Sequence, residues 1–573
     1  MRNALGQQAP EYTRLRERRE EPLHPFNLLL LLSNYTPVCY RVAVQFFWRN
    51  FALLALLASS ALAQLPSAAV ARQVAKVRAE TVESNRFVPF HADWNSLAAY
   101  RTPAWFQDAK FGIFLHWGVY SVPAFGNEWY SRNMYVPGNA AFKHQIDTYG
   151  PQTKFGYKDF IPMFTATKFS AADWVDLFAK AGARYVVPVA EHCDGFAMYD
   201  SQFTDWDAAR MGPHRDILGE LATATKARGL HFGASSHRAE HWWWYGLGRT
   251  FDSDVNDPKY AGIYGPAAKM SLPGADDDTK EPDPNHFEQW LPPDQGFLDD
   301  WLARATEIVD KYHPEFVYFD WWVGQPAFVP GLQQFAAYFY NHTKDPVLTY
   351  KIEAMPANTA TLDIERGKLD TLRLLPWQTD TSISIHSWGY VEHDEYRTAL
   401  SLVQQLVDTV SKNGNLLLNI GPKSDGTIPE EAKTVLVQIG EWLRANGEAI
   451  YDTRPFSVFG EGPTKAGKNP TAKNSDIQTY TAEDIRFTIP KTQSPEAPAT
   501  LYATTLGWPA DGTLRIKVLG TGLGYLPRAV CSVTLLGSDA KLAFAQKPEG
   551  LFITLPAKPM NDLPAVFRIG TCP

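Results

Sequence analysis

Hydrophobic and polar positions along this chain fall into short apolar runs that stop abruptly at polar residues, with amphipathic stretches of 3.6-residue period between them. The sharpest run is Phe316-Val317-Tyr318-Phe319, which ends in Asp320 and two tryptophans, Trp321 and Trp322. Its length and its aromatic and β-branched content predict a buried strand of a parallel sheet. Runs at 111–115, 185–190, 231–236, 347–351 and 415–420 have the same form, and the first three empty into His116, His192 and His237. Helical periodicity occupies 173–183, 221–228, 298–312, 331–341, 397–412 and 430–446. Alternation sustained in this way predicts a TIM-like (β/α) barrel over residues 96–455. Within it, 362–367 reads as an acidic loop. Residues 252–293, rich in Pro, Asp and Gly, read as a long surface excursion that could act as a lid. Beyond 451 the period shortens to two, at 486–489, 500–505, 514–519, 532–536 and 551–555. That pattern predicts a C-terminal antiparallel β-sandwich over 456–573. Residues 64–95 read as a polar linker.

Composition narrows the function classes. The chain has 573 residues, enough for a large barrel with an appended module. A net charge of −8, with no Lys/Arg cluster in the body, argues against a nucleic-acid partner. Aromatic residues make up 13%, including 18 Trp. That content suits carbohydrate contact, although large cores use aromatics too.

The start of the chain reads as targeting sequence. Arg49, the apolar run 51–57 and the small-residue pattern Ala61-x-Ala63 form a signal peptide, with cleavage expected before Gln64. Residues 1–63 are therefore read as leader and signal peptide, and the mature protein as secreted or periplasmic (lysosome-like or extracellular in a eukaryote). The stretch before Arg41 suggests an over-extended start, with Val42 or Val44 as alternative initiators. No apolar run in the mature chain is long enough to span a bilayer. Cys39 lies in the leader and Cys193 in the barrel. Cys531 and Cys572 share the C-terminal module and could pair in an oxidising compartment. No cysteine pair has zinc-ligand spacing, so no structural metal is expected; no cofactor is expected either.

The candidate chemistry lies at strand ends. A strand at 316–319 delivers Asp320 to the carboxyl edge of the sheet, where barrels place their reactive groups. Indole faces stack on the C–H faces of pyranose rings, so Asp320 beside Trp321 reads as a nucleophile in a sugar pocket. A helix-capping aspartate is the blander alternative. His116 could be a satisfied core residue, but the nearby Glu128-Trp129-Tyr130 cluster turns the reading toward a hydroxyl-binding wall.

Five ordered blocks carry a family resemblance over about residues 95–455. They are Phe111-Gly112-Ile113-Phe114-Leu115-His116-Trp117-Gly118; Asn127-Glu128-Trp129-Tyr130; His192-x-Asp194-Gly195-Phe196; Ser387-Trp388-Gly389-Tyr390; and the stretch Asn413–Pro422 with Asp425-Gly426. In these blocks the chain resembles the α-L-fucosidases of glycoside hydrolase family 29. The resemblance implies a TIM-like barrel with a C-terminal β-sandwich, and metal-free retaining hydrolysis of terminal α-L-fucosides on glycans or glycoconjugates. Retention requires two carboxyl groups about 5–5.5 Å apart, one attacking the anomeric carbon and one protonating the leaving oxygen.

Asp320 matches the family's nucleophile. Many relatives place the general acid just after a Trp ahead of the Ser-Trp-Gly-Tyr block, but here that place is Gln378, which cannot exchange a proton. Other relatives take the acid from the preceding loop, where Glu365 stands, so Glu365 is the expected acid/base and Asp380 a weaker substitute. His116, Trp129 and His192 match hydroxyl-binding positions. Glu128 is expected to accept from another hydroxyl, and Lys351 occupies a place where relatives offer an Arg. Trp321, Trp322 or Phe196 could enclose the sugar methyl. Cys193 replaces the second of two histidines common in the family, which leaves open a different sugar such as an α-L-galactoside. Gln378 leaves open a catalytically inactive carbohydrate-binding protein.

Overall fold

The computed structural model describes residues 67–573 apart from 276, 281–285, 352–353, 466–476 and 558–560. The expected leader and signal peptide lie outside the described residues. Eight parallel strands close a barrel in chain order: β1 (Phe111–Leu115), β2 (Tyr185–Glu191), β3 (His231–Ser236), β4 (Phe316–Phe319), β5 (Val347–Lys351), β6 (Thr361–Glu365), β7 (Trp377–Ser382) and β8 (Gly414–Ile420). β8 pairs with β1, Ile113 lying opposite Leu418, and this pairing closes the ring.

The helices that follow the 3.6-residue pattern form the outer layer. They are α1 (Ala68–Thr81), α2 (Ala171–Lys180), α3 (Ile217–Ala227), α4 (Gln295–Tyr312), α5 (Val329–His342), α6 (Ala399–Ser411) and α7 (Glu430–Asn446). Their ends follow capping chemistry. Asp294 accepts from the Phe297 amide at the start of α4, and His313 ends it in a left-handed conformation.

Three sequence expectations are corrected here. The polar linker contains α1, because Val70, Val74 and Val77 recur at helical spacing and bury one face against α4 and α5. The acidic loop is strand β6, which carries Asp363 and Glu365 in register with Gln378 and Asp380 of β7. The excursion at 252–293 is packed over much of its length. Its short turns bury Val255, Ile263, Tyr264, Met270 and Trp290.

The C-terminal region forms two antiparallel sheets. One has the order β13 (Val530–Leu535), β16 (Ala565–Thr571), β11 (Thr500–Thr505), β10 (Ile485–Pro490) and β9 (Thr453–Glu461). The other has the order β12 (Thr513–Ile516), β15 (Gly550–Thr554) and β14 (Phe544–Lys547). Both contribute to one apolar core that includes Phe487, Leu501, Ile516, Ile553 and Phe567. A disulfide joins Cys531 to Cys572. α6 packs on β9 and β10, and there Asp408 is buried between Arg486 (2.6 Å) and Lys412 (2.7 Å).

Candidate active site at the carboxyl end of the barrel

The carboxyl ends of β1 to β6 bring the polar residues together. Asp320, immediately past β4, is held from two sides: Lys351 Nζ donates to its Oδ1 at 3.0 Å and His237 Nδ1 to its Oδ2 at 3.0 Å. Burial alone would raise this carboxyl. The Lys351 ammonium and the hydrogen bonds from Lys351 and His237 outweigh it and hold Asp320 well below the usual carboxylate range. A carboxylate kept ionised at a largely buried position, with both oxygens oriented by donors, is a competent nucleophile.

Lys351 ends β5 and bridges strands. The same Nζ that meets Asp320 donates to Glu365 Oε2 at 2.8 Å and lies 3.6 Å from Asp380 Oδ2. Because the Asp320 and Glu365 contacts share one nitrogen, the two facing oxygens are no more than about 6 Å apart, a bound that admits the spacing of a retaining pair. Burial would depress the Lys351 ammonium, but Asp320, Asp380, Glu365 and Asp363 together push it well above its ordinary value. It is therefore a fixed positive charge.

Beneath Lys351 the inward faces of β6 and β7 carry a sealed polar layer. Asp380 accepts from Tyr318 Oη at 2.7 Å. Gln378 Nε2 donates to Asp363 Oδ1 at 2.7 Å while its Oε1 accepts from Tyr185. Burial raises both Asp363 and Asp380, with their mutual proximity adding to the rise at Asp363. The side chain of Glu365 is 22% exposed and that of Asp380 only 1%. Only the first can reach a ligand.

His116, His192 and His237 leave β1, β2 and β3 at equivalent places, and one nitrogen from each lies within 4.8 Å of the others. His116 Nδ1 donates to Asn419 Oδ1 at 2.8 Å, which fixes its tautomer and leaves Nε2 as an acceptor. His192 Nδ1 is buried without a hydrogen-bond partner. Burial, followed by the neighbouring imidazoles, drives His116 and His192 well below the ordinary histidine value, so both are neutral. A neutral imidazole can give or take a hydrogen bond, as a sugar hydroxyl requires. Such a trio has the donor set for a divalent ion, yet both nitrogens of His237 are engaged, the second with Ser235 Oγ at 2.7 Å.

The remaining expected residues line the approach. Glu128 is buried and accepts from the Trp388 amide (2.8 Å) and Ser387 Oγ (3.1 Å), pinning the loop whose Trp388 ring lies 5.2 Å from His116. Trp129 packs on Trp244 and Trp243, with the Arg132 guanidinium above it. Trp321 stays partly exposed, edge-on to Trp290, whereas Trp322 is stacked on Trp290 at 4.0 Å and Phe196 is buried. Of the three candidates for an apolar wall, Trp321 alone keeps exposed surface. Sequence reasoning missed His237, Asn419 and Glu240. His237 was within reach, since it stands at the strand exit that singled out His116 and His192.

Comparison with known proteins agrees with this architecture. The family model for alpha-L-fucosidase matches residues 77–448, and that for the alpha-L-fucosidase C-terminal domain matches 478–569. Plasma alpha-L-fucosidase of Rattus norvegicus is 34% identical over 488 residues, covering 82% of this chain and 91% of the relative. Tissue alpha-L-fucosidase of Homo sapiens is 31% identical over 495 residues, covering 84% and 90%. The crystal structure of Thermotoga maritima alpha-fucosidase in complex with fucose superposes with a TM-score of 0.63 at 28% identity, covering 83% of this chain and 99% of that one.

Proposed function

The chain belongs to the alpha-L-fucosidase family and is an enzyme of that activity, and from this premise we propose that it cleaves terminal α-L-fucosyl residues from oligosaccharides or glycoconjugates with retention of configuration. Asp320 attacks the anomeric carbon while Glu365 protonates the departing glycosidic oxygen. Glu365 then takes a proton from the water that hydrolyses the fucosyl ester. The observation that carries this reading is the single ammonium shared by the two carboxylates: Lys351 lies 3.0 Å from Asp320 and 2.8 Å from Glu365.

Lys351 and His237 keep Asp320 ionised and aligned, so little reorganisation remains when the sugar arrives. Neutral His116 and His192 supply donors and acceptors to ring hydroxyls, and Trp321 offers a flat apolar wall to the sugar's methyl side. Glu365 is preferred to Asp380 as the acid because it is open to the pocket, and Gln378 carries no exchangeable acid proton.

The test is turnover of 4-nitrophenyl α-L-fucoside. Asp320→Gly is expected to abolish it in a folded protein. Glu365→Gln is expected to stall at the fucosyl-enzyme, since this leaving group needs little protonation, and azide should restore turnover as the retained-configuration fucosyl azide. Normal hydrolysis by Asp320→Gly would sink the nucleophile assignment, and normal hydrolysis by Glu365→Gln the acid.

Export belongs to the same proposal. The Ala61-x-Ala63 site and the Cys531–Cys572 disulfide support an oxidising destination. Among the described residues, no helix is long and apolar enough to cross a membrane. N-terminal sequencing of the protein recovered outside the cytoplasm should begin near Gln64, and a retained leader would refute the cleavage site.

A further inference from the structure

Glu240 lies on the turn that follows β3, is 0% exposed, and has no part in the mechanism above. One of its oxygens, Oε2, accepts from the Cys193 thiol at 3.3 Å. The other, Oε1, is buried with no hydrogen-bond partner. Asp320 is the group that acts on its carboxyl most strongly, by charge and by hydrogen bonding. We propose that Glu240 is a neutral carboxylic acid whose Oε1 hydroxyl donates to Asp320, a positioning residue for the nucleophile that Cys193 holds through its second oxygen. The proposal rests on the reading of Asp320 as nucleophile.

A buried carboxylate oxygen without a donor is costly, but a protonated one is itself a donor and needs only an acceptor. Asp320 is that acceptor, because it is ionised and held so by Lys351 and His237. Two neighbouring buried carboxyl groups do not both carry a charge, and the one paired with the Lys351 ammonium keeps it.

The groups around Glu240 favour the neutral acid. From β4 and β5 it faces Asp320 and Lys351, and the hydrogen bonds of Lys351 go to Asp320 and Glu365. From the loop after β2 it faces Cys193, whose neighbour Asp194 is occupied by Tyr157 and the Phe196 amide. On its own turn, Arg238 is committed to Glu191 and Asp300, His237 to Asp320 and Ser235, and His241 to the Cys193 carbonyl. Burial first, and then the Asp320 charge, push the Glu240 carboxyl well above its ordinary value, which agrees. The proposal also gives Cys193 a role. In place of an imidazole that would meet the sugar, a thiol supports an acid that steadies the nucleophile.

The test is the pH dependence of kcat/KM on the aryl fucoside, because its acidic limb reports ionisation of the nucleophile. Glu240→Gln keeps an N–H donor toward Asp320, an acceptor for the thiol, and the same local charge. It should lose only severalfold in kcat/KM with the acidic limb unmoved. Glu240→Ala removes the donor and should cost about tenfold to a hundredfold. Its limb should move to higher pH, with folding checked by circular dichroism. Cys193→Ser should stay closer to wild type than Cys193→Ala.

An ionised Glu240 predicts the opposite for the glutamine variant, since removing a neighbouring negative charge would move its limb to lower pH, and that result overturns the proposal. An unchanged rate and limb in Glu240→Ala overturns it as well. Infrared difference spectra of wild type minus Glu240→Gln at neutral pH give a readout without substrate. A protonated-carboxyl C=O band is expected, and its absence refutes the neutral acid. Asp320→Gly run in parallel separates the two readings: turnover there removes the nucleophile itself, whereas a dead Asp320→Gly with a shifted glutamine limb removes only Glu240.

Discussion

At the scale of single residues the site is governed by one ammonium. Lys351 is buried at 4% exposure, yet it stays charged because Asp320, Glu365 and Asp380 surround it. Replacing it by Met removes the strongest influence that keeps Asp320 ionised. The Asp320 carboxyl is held below the ordinary carboxylate value of about 3.9, so in the wild type the acidic limb of kcat/KM should lie below that value. In Lys351→Met, burial is no longer opposed by the ammonium, and the limb should move upward, with kcat/KM down a hundredfold or more. A pH–rate profile with the limb in its wild-type place would show that Lys351 does not set the charge of Asp320.

At the scale of elements, the inner face of β7 explains why an acid is absent where many relatives place one. Gln378 is sealed in the barrel and donates to Asp363, itself a neighbour of Asp380. Gln378→Glu would turn that donor into a third acceptor or charge in the layer. It should lower the melting temperature by several degrees, as an unsatisfied buried polar group costs about 1–3 kcal/mol or more. It should not rescue Glu365→Gln, and rescue in the double variant would overturn the assignment of Glu365.

The same strands mark where sequence reading failed. β1, β2, β4, β5 and β8 were legible because their continuous apolar runs are the pattern of strands buried on both faces. β6 and β7 were not, since their inward residues are Asp363, Glu365, Gln378, Asp380 and Ser382. The polar layer that supports the chemistry erases the hydrophobic run that would announce a strand. α1 was hidden for a different reason: three valines among Lys, Arg and Ala give a weak apolar stripe that packing against α4 and α5 completes. At the site, Asp320, His116 and His192 could be picked out because each directly follows or closely follows an apolar strand run, whereas His237 and Asn419, placed at a strand exit and within a motif block, were given no role. Glu240 was not legible, because its contacts with Cys193 and Asp320 come only from the fold.

At the scale of the whole molecule, one buried ion cluster ties the barrel to the C-terminal sheets. Asp408 of α6 accepts from Lys412, just past the end of that helix, and from Arg486 on β10, with both partners nearly as buried as the acid itself. Burial would raise the Asp408 carboxyl, but the two cations outweigh it and hold it below its ordinary range. Its contribution to stability is therefore complete above the unfolded carboxylate value of about 3.9, and is lost as pH falls through the depressed folded value. Asp408→Ala leaves two buried cations without their anion, a change that costs about 3–5 kcal/mol where one partner of a buried pair is removed. Calorimetry at neutral pH should show the variant melting several degrees below wild type, and the gap should narrow in acid, where wild type protonates the same carboxyl. Because α6 leads directly into β8, a strand whose Asn419 fixes His116, loss of this cluster should also reduce kcat at temperatures where the barrel remains folded. A variant that melts with wild type at neutral pH would mean that the apolar contacts of α6 with β9 and β10 hold the two parts together without the ion cluster.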